Sequence, residues 1–242
     1  AYVVWHTGQE GHLGVMDADG KNAFDLTPDF HDCSSFPSWF PDGKQIAFVK
    51  GCLLAGKAFS ISVEGGRERL IIDLGQDMSF MRLSPDGKRL AFNSQKDGVF
   101  NVWVASLEDK RATQLTFDKE LMGFPYWSPD GQFIAFEMQR GEDSQIMIMP
   151  STGGPPTQLT SDRGLNWTGG FSPDGDKILF AGQRDGVWNL WWVSRSTRQE
   201  KRLTNYTKLN AYVRYPVWSP RGDQVVYEYA ETTGNIWMLD LK

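Results

Sequence analysis

The sequence predicts an all-β fold, a β-propeller, because a short turn motif recurs at an almost constant interval. The motif has the form x-Pro-x-Gly, most often Ser-Pro-Asp-Gly, and occurs five times in 242 residues. Its prolines are spaced 44, 44, 44 and 47 residues apart, at Pro41, Pro85, Pro129, Pro173 and Pro220. Short β-branched and aromatic runs bounded by turn residues surround every copy, as expected of strands. Four short strands in about 44 residues are typical of one propeller blade.

The four strands of each repeat, named A to D from the propeller axis outwards, can be assigned in order. Strand A ends at the turn motif, whose proline and glycine suit the corners of a tight turn into strand B. Strand B is apolar at consecutive positions, which predicts that both of its faces are covered. Its copies are Ile46-Ala47-Phe48, Leu90-Ala91-Phe92, Ile134-Ala135-Phe136, Ile178-Leu179-Phe180 and Val225-Val226-Tyr227. Strand C contains runs such as Asn101-Val102-Trp103, and strand D closes on Leu-Thr, as at Leu115-Thr116.

The two end repeats are expected to be incomplete. Val3-Val4-Trp5 aligns with strand B of the second repeat, so the first blade lacks strand A. The last repeat has strands A, B and C, with C expected at residues 235–238, and lacks strand D. The prediction is therefore a single domain, residues 1–242, of six blades of four-stranded antiparallel sheet with an imperfect or externally completed seam. The repeats run at about 1–28, 29–73, 74–116, 117–160, 161–204 and 205–242.

Composition excludes several classes of protein. The chain has 25 Lys and Arg against 30 Asp and Glu, a net charge of −5, and no basic run. Nucleic acid needs a basic face, so it is not expected as a partner. No stretch approaches the roughly 18 apolar residues of a membrane-spanning helix. The Gly-x-Ser-x-Gly nucleophile elbow of α/β-hydrolases is absent from the sequence.

The repeat resembles the TolB-type propeller family over essentially the whole chain. The resemblance lies in Trp-Ser-Pro-Asp-Gly, in the opening Ala1-Tyr2-Val3-Val4 and in the turn Met16-Asp17-Ala18-Asp19-Gly20. It implies a periplasmic or extracellular, non-enzymatic scaffold of the cell envelope that binds a protein partner and holds no cofactor. The same repeat occurs in some polysaccharide lyases and beside hydrolase domains. A metal-assisted lyase-type propeller, a sugar- or small-molecule-binding propeller, and a domain of a larger enzyme or complex therefore remain alternatives.

The candidate partner-binding residues lie where strand D leads into the next strand A. These D–A loops share one face of the disc, around the mouth of the central channel. Acidic residues stand in the early loops, and arginines and aromatic residues in the later ones, and Tyr, Trp and Arg dominate binding hot spots. The candidates are His31, Asp32, Asp77, Glu120, Arg163, Trp167, Tyr212 and Arg214. The aromatic residues of strand A, Phe36, Phe80, Phe124 and Tyr215, are expected to pack between blades.

The histidines and cysteines fall early in the chain. His6, His12 and His31, with Asp32, lie toward one face and form a conceivable metal site, although loop histidines are more often polar surface and no metal is predicted. Cys33 and Cys52 are about equally far from the turn that joins their strands. Residues opposite each other in a hairpin are close enough for a disulfide, which is the prediction here, with two buried thiols as the alternative.

Overall fold

The computed structural model describes residues 2–4, 11–17, 19–27, 34–50, 56–96, 98–117, 119–120 and 122–232. These residues form 21 strands, all of which pair antiparallel. Among them, no helix is long and apolar enough to cross a membrane.

The strands form five successive blades and a small terminal sheet. Blade 1 has three strands, β1 (Tyr2–Val4), β2 (His12–Val15) and β3 (Phe24–Asp25). Blade 2 contains β4 (Ser34–Trp39), β5 (Gln45–Lys50), β6 (Lys57–Ser62) and β7 (Arg69–Ile72). Blade 3 contains β8 (Ser79–Leu83), β9 (Arg89–Lys96), β10 (Val99–Ser106) and β11 (Ala112–Gln114). Blade 4 contains β12 (Met122–Trp127), β13 (Phe133–Arg140), β14 (Asp143–Pro150) and β15 (Thr157–Gln158). Blade 5 contains β16 (Asn166–Phe171), β17 (Lys177–Arg184), β18 (Val187–Ser194) and β19 (Glu200–Arg202). The terminal sheet is the pair β20 (Ala211–Trp218) and β21 (Val225–Glu231).

The prediction of six blades of four-stranded sheet is wrong. Within the described residues the chain forms five blades, four of them four-stranded, and a terminal sheet of two strands. The physical reason is that strands A and B of the last repeat form a hairpin, and a two-stranded hairpin supplies only the inner half of a blade. The third strand, expected at residues 235–238, lies outside the described residues.

The turn motif holds strands A and B together through its side chains. In blade 3 the Ser84 hydroxyl donates to the Asp86 carboxylate at 2.5 Å and accepts the main-chain N–H of Arg89 at 2.9 Å. Gly87 closes the turn with a positive φ of 71°. The same contacts recur around Ser128 and Ser172. The serine, the aspartate and the glycine of the motif therefore each stabilise the turn, which explains why these residues recur.

The core lies between the blades. The strand B aromatic residue is fully buried in four blades, at Phe48, Phe92, Phe136 and Phe180. The apolar clusters join neighbouring blades, as where Ala47 and Val49 of blade 2 pack with Met81 and Phe92 of blade 3. The prediction that strand B is covered on both faces is confirmed in blades 2 to 5, but it is wrong for β21 of the terminal sheet, where Val226 is 60% exposed. The threonine of the Leu-Thr pair binds the end of strand D to strand C. In blade 3 the Thr116 hydroxyl accepts the N–H of Val102 at 2.9 Å and donates to the side-chain oxygen of Asn101 at 2.8 Å.

Candidate functional site

Four aromatic side chains from the A strands meet at the propeller axis. This central aromatic cluster consists of Phe36, Phe80, Phe124 and Tyr215. Neighbouring ring centroids lie 4.7 Å, 4.1 Å and 6.1 Å apart along that series. The rings belong to blades 2, 3 and 4 and to the terminal sheet, so the cluster ties together segments far apart in the chain.

A β-bulge in each A strand determines the direction in which its aromatic side chain points. The pairing of strand A with strand B shifts register at the aromatic residue, for example between Ser79 and Arg82 around Phe80. All four residues have positive φ, between 49° and 56°. A bulky residue in this region is strained, and such strain persists only where the surroundings enforce it. The aromatic residues do pack between blades, as expected, but on a strained backbone that the repeat pattern does not reveal.

Blade 5 interrupts the cluster. Thr168 stands at the aromatic position, followed by Gly169 and Gly170. A Cβ atom on Gly169 would lie 2.5 Å from the main-chain oxygen of Pro216, so β16 and β20 approach closely here. Phe124 and Tyr215 consequently make contact past a blade that contributes no ring of its own.

Arg214 forms the most polar part of this central region. Its guanidinium lies over the rings of Tyr212 at 4.7 Å and Tyr215 at 5.3 Å. Its Nη2 atom is 2.6 Å from Oε1 of Glu228 on the paired strand β21. Burial raises the pKa of Tyr215, although 39% of the residue stays exposed. The arrangement is a Tyr–Arg–Tyr stack held by a carboxylate.

Glu137 occupies the same repeat position as Glu228 but lacks an arginine. Its strand partner is Gly123, where the terminal sheet has Arg214. Glu137 is only 5% exposed, and its Oε2 atom has no hydrogen-bond partner. Burial raises the pKa of this carboxyl to about 8. Asn166 and Thr168 on the adjacent blade also carry a buried side-chain oxygen without a partner. Buried side-chain oxygens without a hydrogen-bond partner therefore occur on both blade 4 and blade 5.

A small cavity of about 210 Å³ opens near the A–B turns of blades 2, 3 and 4. Trp39, Arg82, Tyr126 and Trp127 contribute to its wall. Arg82 lies 4.7 Å from the centre of the Tyr126 ring and donates to its hydroxyl at 3.0 Å. Sequence reasoning missed Arg82 and Tyr126, although their position, three residues before the turn proline, varies from repeat to repeat.

The predicted binding residues lie in several places. Arg163 and Glu120 are exposed in D–A loops, and Asp77 is half-buried in another. Trp167 is partly buried and packs against Trp188, with ring centroids 4.0 Å apart, while Tyr212 contacts Arg214. His31 and Asp32 lie outside the described residues.

The D–A loops also carry two residues that sequence reasoning missed. Phe117 is 76% exposed and Leu209 is 73% exposed, more than any other large apolar residue of the described chain. Phe117 follows β11 and Leu209 follows β19, so both stand on the predicted face. An apolar side chain in a loop without a repeat equivalent was the signal available in the sequence.

The early histidines and cysteines are only partly described. His12 pairs with Asp25, with Nε2 and Oδ2 3.3 Å apart. His6, Cys33 and Cys52 fall outside the described residues, so the disulfide remains a prediction. Within the described part of the chain, no group of three or more His, Cys, Asp or Glu side chains is arranged to hold a metal ion.

Fold and site together define a propeller domain with an aromatic axis and a loop face that exposes apolar and charged side chains. The TolB beta propeller domain family matches residues 1–241, and the chain belongs to this family. The comparison with curated proteins finds no match.

Solved structures share the fold at low sequence identity. TolB from Acinetobacter baumannii has a TM-score of 0.74 and 23% identity, covering 89% of this chain and 53% of that one. This chain thus spans about half the length of that TolB. A protein described as TolB from Agrobacterium tumefaciens has a TM-score of 0.75 and 23% identity, with coverages of 87% and 74%. An oligogalacturonate lyase in complex with manganese has a TM-score of 0.60 and 15% identity, with coverages of 81% and 58%.

Proposed function

We propose that the protein is a non-enzymatic scaffold of the cell envelope, located in the periplasm, that binds a protein partner through its D–A loop face. The observation that carries this proposal is the exposure of Phe117 and Leu209 on that face. Exposed apolar patches mark protein interaction sites, and aromatic residues such as phenylalanine are enriched at the cores of such sites. Membership of the TolB propeller family supports the same role.

The surrounding side chains fit a protein partner. Glu120 and Arg163 add exposed charges of both signs to the loop face. The Tyr212–Arg214–Tyr215 stack adds the residue types that dominate binding hot spots. Partner binding here would use the apolar residues as anchors and the charges for orientation.

The test compares two sets of substitutions on the immobilised protein. The double variant Phe117→Ser/Leu209→Ser removes the exposed apolar residues of the loop face. Leu70→Ser removes another exposed apolar residue, from the outer strand β7, where Leu70 is 53% exposed. Periplasmic extract of the native organism is passed over each protein, and the retained proteins are quantified by mass spectrometry.

We expect at least one protein to be retained equally by the wild type and Leu70→Ser, and about tenfold less by the double variant. Tenfold corresponds to about 1.4 kcal/mol, within the range of a single hot-spot residue. Retention that is the same for all three proteins would contradict a partner site on the loop face.

A further inference from the structure

Blade 2 carries a cavity of about 770 Å³ on the opposite face of the disc, where the A–B and C–D turns lie. Six of the residues that line it are Lys44, Gln45, Ser60, Ser62, Arg67 and Arg69. They come from the ends of β5 and β6, from the turn that follows β6, and from the start of β7. The cavity is therefore separate from the loop face and from the central aromatic cluster.

One side chain that lines the cavity departs from the repeat. Ser60 is paired with Ala47, the middle residue of the strand B triplet. The residues paired with that position in blades 3, 4 and 5 are Val104, Ile148 and Trp192. Val104 and Ile148 pack into the apolar layer against the next blade. Serine in this place removes a large apolar side chain and leaves a hydroxyl on the cavity wall.

The charges around the cavity are unbalanced. Glu68 also lines it, but its Oε1 atom is 2.9 Å from Nζ of Lys50, and this contact lowers the pKa of Glu68. Lys50 thus offsets the negative charge of Glu68. Lys44, Arg67 and Arg69 contribute three further positive charges, and Arg69 is the strand partner of Ser60. Asp42, which accepts the N–H of Lys44, stands in the adjoining turn and does not line the cavity.

We propose that this cavity binds the phosphate group of a small phosphate ester. Two guanidinium groups present paired N–H donors that match phosphate oxygens, and a lysine adds a point charge. The Ser60 hydroxyl and the Gln45 amide supply further donors. A dianionic phosphate balances three cations better than a single carboxylate does. The cavity volume lies within the range of small-molecule sites, so the organic part of the ester has room.

The experiment uses isothermal titration calorimetry at low ionic strength with inorganic phosphate, glycerol 3-phosphate and, as a monoanion, acetate. Phosphate and glycerol 3-phosphate are expected to bind, and acetate to bind at least tenfold more weakly. Ser60→Val restores the side chain that blade 3 has, removes the hydroxyl from the cavity wall, narrows the cavity at that point and leaves every charge in place. It is expected to weaken phosphate binding at least tenfold without lowering the Tm.

Two charge variants separate a built site from general attraction of anions. Lys44→Ala is expected to weaken binding about tenfold. Lys88→Ala removes the exposed lysine at the same repeat position of blade 3 and is expected to leave binding unchanged. Equal losses in these two variants, or unchanged binding by Ser60→Val, would overturn the proposal. Binding to vesicles containing phosphatidic acid but to neither soluble phosphate would also overturn it, since a lipid headgroup would then be the ligand.

Discussion

Glu137 and Glu228 occupy the same position of the repeat, and the residue on the opposite strand determines whether the carboxyl group has an ionic partner. Glu228 faces Arg214 and forms an ion pair of 2.6 Å. Glu137 faces Gly123, is buried, and has a pKa of about 8. A carboxyl that is buried without a counter-charge keeps its proton, because the desolvated charged form is disfavoured.

This raised pKa predicts that stability falls as the pH rises. The folded protein holds a proton on Glu137 up to about pH 8, while an unfolded chain releases it near the ordinary value of 4.5. The stabilisation is complete below about pH 4.5 and is lost as the pH approaches 8. Glu137→Gln should remove this pH dependence. Because one pKa unit corresponds to about 1.4 kcal/mol, the variant should raise the free energy of unfolding at pH 8 by roughly a few kcal/mol.

Urea denaturation between pH 5 and pH 8.5 measures the effect. The exposed Glu142, in the turn at the end of the same strand, gives the matched control Glu142→Gln. The control should keep the wild-type pH profile. A Glu137→Gln profile parallel to that of the wild type would show that Glu137 does not titrate as the burial of its carboxyl implies.

At the level of strands, the threonine that follows strand D holds it to strand C by hydrogen bonds. The hydroxyl of Thr116 satisfies the main-chain N–H of Val102 and the side chain of Asn101, all of them buried. Equivalent contacts involve Thr160 and Thr204. The outermost strand is only two to four residues long, so a side chain supplies pairing that a longer strand would provide by itself.

We expect Thr116→Val to destabilise the protein by about 1–3 kcal/mol, because a buried donor loses its partner while the volume is nearly unchanged. Thr113→Val changes an exposed threonine in β11, three residues before Thr116, and should cost less than about 0.5 kcal/mol. Thermal unfolding measures both variants. A similar loss of stability in the two variants would mean that the hydroxyl of Thr116 does not hold strand D to strand C.

Across the whole molecule, the terminal sheet depends on its contact with blade 5. A Cβ on Gly169 would meet the main-chain oxygen of Pro216 at 2.5 Å. At the next residue, Gly170, the nearest atom to such a Cβ is 3.7 Å away, an ordinary contact. Neither glycine has a positive φ, so only the space available distinguishes them.

Gly169→Ala should therefore loosen the docking of β20 and β21, and Gly170→Ala should not. The expected cost is about 1–3 kcal/mol, typical of overpacking. Hydrogen exchange of the β20 amides, followed by mass spectrometry, should speed up in Gly169→Ala alone. Equal exchange in the two variants would exclude this contact as the one that holds the terminal sheet.

The sequence allowed the prediction of those parts of the fold that depend on neighbouring residues. The turn around Ser84 and Asp86 needs only local contacts, so its motif predicted strands and their order. The central aromatic cluster depends on bulges and on positive φ at Phe80 and its equivalents, which residue types alone do not indicate. The unpaired state of Glu137 depends on strand register, which places Gly123 opposite it. The blade count was wrong because, among the described residues, the last repeat forms a sheet of two strands and not a blade of three or four.

The central aromatic cluster has a consequence for the order of events in folding. The turn motifs close loops of a few residues, whereas the cluster joins Phe36 to Tyr215 through rings that are far apart in the chain. Long loops are slower and costlier to close than short ones. The hairpins are therefore expected to form early and the cluster last, so that the environment of Tyr215 reports when the central aromatic cluster has assembled.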